Sequence, residues 1–160
     1  MTETDSERAL LRHTLATVAY RGGKAVRNAP GGFSSFRAAE GSRSPGEILA
    51  HIGDLFDWAL SLANGAQAWN DSRPSAWEDD VARFHEGLAR LDARFVSPDP
   101  LGVSASRLFQ GPIADALTHI GQIAMLRRMA GAPIRGESYF KADIAAGRTG
   151  ADQTAPRKEF

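Results

Sequence analysis

Apolar residues recur at intervals of three and four along most of the chain, which is the spacing of amphipathic helices. Stretches rich in glycine, proline and asparagine interrupt this pattern and divide it into four long segments. No segment alternates apolar and polar residues in the way that strands do. Because four amphipathic helices can bury their apolar stripes against one another, the sequence predicts an all-α protein, a four-helix bundle. The predicted helices cover 5–28, 45–63, 76–96 and a segment that ends at Met129.

Local signals mark the ends of the second and third helices. Ser44 and Glu47 have the spacing of a capping box, with Pro45 at the first helical position. A second box at 75–78 predicts the start of the third helix, and the Asn-Gly pair at 64–65 predicts a left-handed end to the second. These signals are short-range, so they predict boundaries and not packing.

The sequence allows two starting positions for the fourth helix. Proline inside a helix costs roughly 3 kcal/mol, so the helix either begins at Pro112 or starts near Ser104 and continues with a kink. Leu108 and Phe109 keep the angular phase of Ile123, which favours the kinked continuation.

The chain of 160 residues is long enough for one domain with a sizeable core. After Pro133 it has one short amphipathic stretch and then a polar tail. The sequence therefore predicts a bundle over 1–135 and a C-terminal extension over 136–160 that packs on it.

Charge and composition restrict the possible chemistry. The 19 basic residues balance the 19 acidic ones, so we expect no nucleic-acid partner, which would require a basic surplus. There is no cysteine, so a metal could be held only by His, Asp or Glu. No apolar run approaches the ~20 residues of a membrane span, and the acidic N-terminal segment does not resemble a secretory signal. We expect a cytoplasmic protein with no membrane partner.

Three polar residues of metal-ligand type lie on apolar helical stripes. His119 lies in the middle of the predicted buried face of the fourth helix, and Asp115 lies one turn earlier on the same face. His51 lies at the edge of the stripe of the second helix and faces inward. A buried carboxylate requires a cation, which is either a protonated histidine or a divalent metal ion. Two imidazoles and a carboxylate form a facial metal triad with open positions.

The remaining candidates are expected to have ordinary roles. His13 is predicted to face solvent, and His85 to lie at the boundary of the third stripe, within reach of the site as an alternative ligand. The tryptophans are interpreted as packing residues, with Trp58 able to wall a pocket near His51. Glu47 is expected to cap the second helix, and Asp54 to be solvated or to lie behind the ligands. Arg21, Lys24 and Arg27 form a small basic face that is expected to be solvated, with contact to an anionic substrate or partner as the alternative.

The segments LAHIGDL at 49–55 and DALTHIGQ at 115–122 resemble the DinB-like (DinB/YfiT-like) superfamily of four-helix-bundle metalloenzymes. The layout is similar from the first helix through Gly131. Members generally carry one metal-binding histidine on the second helix and a His-x-x-x-His pair on the last helix, before a Gly-Gln step. His51 and His119 match two of these positions, and Asp115 stands where the family has its remaining histidine.

The resemblance implies a metal-dependent enzyme that acts on a small-molecule substrate with a low-molecular-weight thiol, as a transferase or isomerase. It also implies a homodimer. The divalent ion, such as Ni²⁺, Zn²⁺, Mn²⁺ or Fe²⁺, would be held by His51, Asp115 and His119, and Gln122 could orient a ligand from behind. The alternative is a non-catalytic bundle in which the His/Asp cluster is structural and the apolar faces support a dimer or partner contact.

Overall fold

The computed structural model describes residues 3–160, with side chains from residue 5 onward, and confirms the all-α architecture with four long helices. The first three helices are α1 (Glu3–Val26), α2 (Pro45–Ala63) and α3 (Trp77–Val96). The fourth, α4, runs continuously over 105–129. Within the described part of the chain, none of these helices has both the length and the apolar character that crossing a membrane requires.

The helices pack in an order that the sequence left undetermined. α1 packs against α3 and α4, and α2 packs against the same two helices, so α1 and α2 lie diagonally across the bundle. Each helix contributes fully buried apolar side chains to a common core, among them Leu15, Ile52, Leu88 and Ile123. The second and fourth helices are therefore neighbours, which brings their polar residues within reach of each other.

A glycine in α1 allows close packing between α1 and α3. Gly22 lies under the ring of Phe84, whose Cζ is 2.4 Å from the position that a β-carbon at residue 22 would occupy. A larger residue would push this fully buried ring out of the core. Glycine is a poor helix former, but tertiary packing thus requires it at this position.

One of the two predicted capping boxes is confirmed. The Ser44 side chain accepts a hydrogen bond from the Glu47 amide, and the Glu47 carboxylate accepts one from the Ser44 amide. The box at 75–78 was a wrong prediction, because α3 starts at Trp77 with no side-chain cap. The Ser75 amide donates instead to the carboxylate of Asp80, which is buried five residues further on.

The fourth helix continues through Pro112, as the favoured prediction has it. α4 consists of an α-helical turn (Ala105–Leu108), a π-helical turn (Phe109–Ile113) and a longer α-helix (Ala114–Met129). A π-helical turn contains about one extra residue, so it changes the angular position of everything before it by about 100°. Leu108 is fully buried as a result.

The C-terminal extension is joined to α1 through a buried polar cluster. Glu137 accepts hydrogen bonds from the Tyr20 hydroxyl at 2.8 Å and from Lys24 Nζ at 2.7 Å. Burial and the bond to Glu137 raise the pKa of Tyr20 to about 12. The solvated basic face was therefore a wrong prediction for Lys24, which is 6% exposed because its carboxylate partner comes from the extension. The boundary at residue 135 stays a prediction.

Candidate metal site

The three predicted ligands come together on one side of the bundle. His51 of α2 faces Asp115 and His119 of α4, and one potential ligand atom from each lies within 4.8 Å of the other two. The His119 Nε2 to Asp115 Oδ1 distance is 3.4 Å, and the His51 Nε2 to Asp115 Oδ2 distance is 3.7 Å. The carboxylate therefore faces both imidazoles, with a different oxygen toward each.

Two independent features of the fold produce this arrangement. Asp115 and His119 are four residues apart on one helix, so their side chains lie on the same face. His51 is added by the packing of α2 against α4. Its ring meets the His119 ring edge to face, with the centroids 4.8 Å apart.

The site lies at the edge of the bundle and not in its interior, so the predicted burial of Asp115 was wrong. The Asp115 side chain is 47% exposed, whereas the imidazoles of His119 and His51 are 13% and 19% exposed. At 100° per residue, the buried apolar residues Ala116, Ile120, Ile123 and Leu126 are centred about 45° from His119 and about 85° from Asp115. In a regular α-helix Leu108 would lie about 20° from His119, on the side of Asp115, and would place the buried face nearer to both; the π-helical turn removes this relation.

His51 is suited to bind a cation in its neutral form. Burial lowers its pKa, the charges of His119 and Arg43 lower it further, and Asp115 partly opposes both effects. A histidine must be unprotonated to bind a metal ion. A lowered pKa therefore keeps His51 in the competent form at neutral pH.

Gln122 holds the second imidazole from its far side. The Nδ1 atom of His119 lies 2.8 Å from Oε1 of Gln122. Since an amide oxygen only accepts, Nδ1 donates to it, and in the neutral imidazole the free lone pair is then on Nε2. That nitrogen points toward Asp115. The contact gives Gln122 the orienting position predicted for it, by the arrangement that usually fixes metal-binding histidines.

Replacing Gln122 with alanine is expected to weaken metal binding by about 10- to 100-fold, because the imidazole then loses both its orientation and its preferred tautomer. Gln122→Glu keeps an acceptor at the same position and should retain most of the affinity. Isothermal titration of metal-free protein with Zn²⁺ measures both variants. An unchanged affinity in Gln122→Ala would contradict the orienting role.

Two of the three donor pairs have about the spacing that one small divalent ion requires, and the cluster as a whole, which spans up to 4.8 Å, must contract slightly to bind it. Two donors bound to a single ion at ~2.0–2.2 Å lie about 3.0–3.5 Å apart. The two imidazole-to-carboxylate distances, 3.4 and 3.7 Å, are close to this range. Asp115 reaches solvent, so its carboxylate can turn without disturbing the core.

One contact around the site was not predicted, and one prediction was wrong. Trp69, from the loop between α2 and α3, packs edge-on against the His51 ring, with the ring centroids 5.6 Å apart. The Trp58 ring packs in turn against the ring of Trp69. Trp69 follows no helical pattern, so no periodicity could have assigned it to the site. Asp54 is 1% exposed and bonds Arg83 and Ser72, and so it is a buried structural residue rather than a solvated or outer one.

The predictions for the other histidines and for Glu47 are confirmed. His13 faces solvent, and His85 lies at the boundary of α3 with Nδ1 3.0 Å from the carbonyl of Thr149. Burial lowers the pKa of His85, but it is not part of the ligand cluster found among the described residues. Glu47 caps α2 and also pairs with Arg37.

Two surface depressions adjoin the site. One, of about 580 Å³, reaches His51 between the N-terminal end of α2 and the loop at 71–74. The other, of about 710 Å³, reaches His119 and Gln122 along α4. Arg43 lines both, and no motif in the sequence singled it out. The ligand cluster is therefore accessible to small molecules from two directions.

Comparison of the chain with protein-family models, with curated proteins and with solved structures finds no match.

Proposed function

We propose that this protein is a metal-dependent enzyme of the DinB-like type, in which His51, Asp115 and His119 hold a divalent ion and the reaction uses a low-molecular-weight thiol. The observation that carries the proposal is the convergence of these three side chains from two helices within 4.8 Å. The segments around them are those that resemble the superfamily.

The side chains have complementary tasks in this proposal. His51 and His119 supply neutral nitrogen donors, and Asp115 supplies a charge that offsets part of the charge of the ion. When bound, the ion would act as a Lewis acid that lowers the pKa of a thiol or water by several units. The protein has no cysteine, so the thiol would come from a separate small molecule.

The exposure of the site supports an enzyme over a structural cluster. A structural metal site is normally closed by four protein ligands, whereas a catalytic site has three and keeps a position open. The described residues provide three, and one of them is half exposed next to two depressions. A small-molecule substrate could reach the open positions without any rearrangement of the core.

Metal content is the direct test. Untagged protein is stripped with a chelator, incubated separately with Ni²⁺, Zn²⁺, Mn²⁺ and Fe²⁺, dialysed and assayed by elemental analysis. We expect a single ion per chain with at least one of these metals, and none in His51→Ala. His13→Ala removes an exposed histidine away from the site and should keep the metal. Wild-type protein that retains no metal would refute the proposal.

Catalysis is tested separately with metal-loaded protein and a panel of low-molecular-weight thiols and electrophilic acceptors. Turnover that requires the metal supports the enzyme. A protein that binds metal, gains thermal stability and yet shows no turnover would be the non-catalytic bundle. The homodimer is part of the same proposal, and light scattering after size-exclusion chromatography measures it.

A further inference from the structure

We propose that the site recognises an organic anion, whose acid group binds Arg43 and Arg73 and whose apolar part lies along α4. This inference names the substrate class of the proposed metal-dependent function and rests on it. It starts from two arginines next to His51 that the fold does not use.

Two of the arginines around this end of α2 are already paired. Arg37 donates to Glu47 and to the carbonyl of Ser42, and Arg83 is held by Asp54 and Asp57. In contrast, the exposed guanidinium groups of Arg43 and Arg73 make neither a hydrogen bond nor an ion pair with any residue that the structure describes. They are therefore available to a ligand.

Arg43 and Arg73 lie beside the candidate metal site. Both line the depression that reaches His51, and Arg43 also lines the depression that reaches His119. The charges of Arg37 and Glu47 offset each other there, and Asp71 is the remaining carboxylate of that depression. Two free cations thus face one free anion among the residues that line this depression, and a divalent ion would outweigh the charge of Asp115 beside His51. A small ligand that enters here meets an excess of positive charge.

The second depression adds an apolar surface. Ile48, Met125 and Leu126 line it beside His119, and the Met125 side chain is half exposed. Methionine adapts to irregular apolar ligands because it is flexible and polarisable. A guanidinium group binds a carboxylate or a phosphate through paired hydrogen bonds. The combination favours a molecule with an acid group and an apolar part over a simple inorganic anion.

The test uses metal-free, ¹⁵N-labelled protein titrated with hexanoate, hexanamide and inorganic phosphate and followed by NMR. Hexanoate and hexanamide differ in the acid group, so their comparison isolates the charge. We expect hexanoate to bind about tenfold more tightly than hexanamide and to shift the signals around His51 and His119. Phosphate should bind more weakly than hexanoate, because it lacks the apolar part.

Arginine variants test whether Arg43 and Arg73 cause the preference for hexanoate over hexanamide. Arg43→Gln should lower the affinity for hexanoate by about tenfold and leave hexanamide unchanged, and Arg73→Gln should act in the same direction. Arg107→Gln is the matched control, since Arg107 is exposed, makes no side-chain bond to a described residue and lines neither depression. Equal binding of hexanoate and hexanamide would overturn the inference, as would wild-type affinity in Arg43→Gln or phosphate binding as tight as that of hexanoate.

Failure of this inference differs from failure of the proposed function. If stripped wild-type protein takes up metal but Arg43→Gln binds hexanoate normally, the metal site stands and the anion site is refuted. If no metal is retained but hexanoate binding still depends on Arg43, the metal-dependent function is refuted and the anion site stands.

Discussion

His119→Ala should abolish stoichiometric metal binding while leaving the metal-free protein nearly as stable as the wild type. Loss of a ligand should weaken binding by more than the ~10- to 100-fold expected for the supporting residue Gln122. The cost in folding stability should stay near 1 kcal/mol, because Asp115 is 47% exposed and can be hydrated once its neighbour is gone. Elemental analysis and urea unfolding of metal-free protein give the two quantities.

The result distinguishes the two interpretations of the cluster. If Asp115 and His119 formed a buried structural ion pair, removal of the histidine would leave an unpaired charge and cost roughly 3–5 kcal/mol. Such a loss, measured without metal, would contradict the open site. Thr118→Ala, next to His119 on an exposed part of α4, is a control that should change neither metal content nor stability appreciably.

Lys24→Met should destabilise the protein by about 3–5 kcal/mol, because it leaves the carboxylate of Glu137 buried without its cation. The side chains of Lys24 and Glu137 are 7% and 0% exposed, so water cannot replace the lost partner. Chemical denaturation monitored by circular dichroism measures the change. Lys158→Met removes an exposed lysine from the same extension and should have little effect.

A double variant tests whether the unpaired charge of Glu137 causes the loss of stability. Adding Glu137→Gln to Lys24→Met removes the unpaired charge, so it should recover part of the lost stability. Additive losses in the two single variants would mean that the side chains act independently. A Lys24→Met protein as stable as the wild type would show that the extension is not fastened to α1 by this pair.

Much of the fold could be predicted because helical periodicity and caps depend on residues within about one turn of each other. The capping box of α2 formed as its residues predicted, and α4 continued through Pro112. The third helix shows the limit of such signals. The residues at 75–78 suit a capping box, but the Ser75 amide donates its hydrogen bond to the buried Asp80 instead.

The sequence predicted which residues form the candidate site, but not how exposed they are or which other residues surround them. The pairing of Asp115 with His119 follows from their spacing on one helix. Their exposure does not, because the π-helical turn changes the angular position of Leu108, so Leu108 does not mark the buried face of the helix that follows. Arg43 and Trp69 escaped prediction because they lie outside the helices, where no periodicity relates them to His51.

The sequence by itself determined the four helices, most of their ends and the three residues able to hold a metal ion. Only the tertiary structure decided which helices are neighbours, how far Asp115 reaches into solvent and which carboxylate accompanies Lys24. The physical reason is the range of the interactions. Hydrogen bonds within a helix join residues four apart, whereas Tyr20 and Glu137 are separated by 117 positions and meet only when the whole chain has packed.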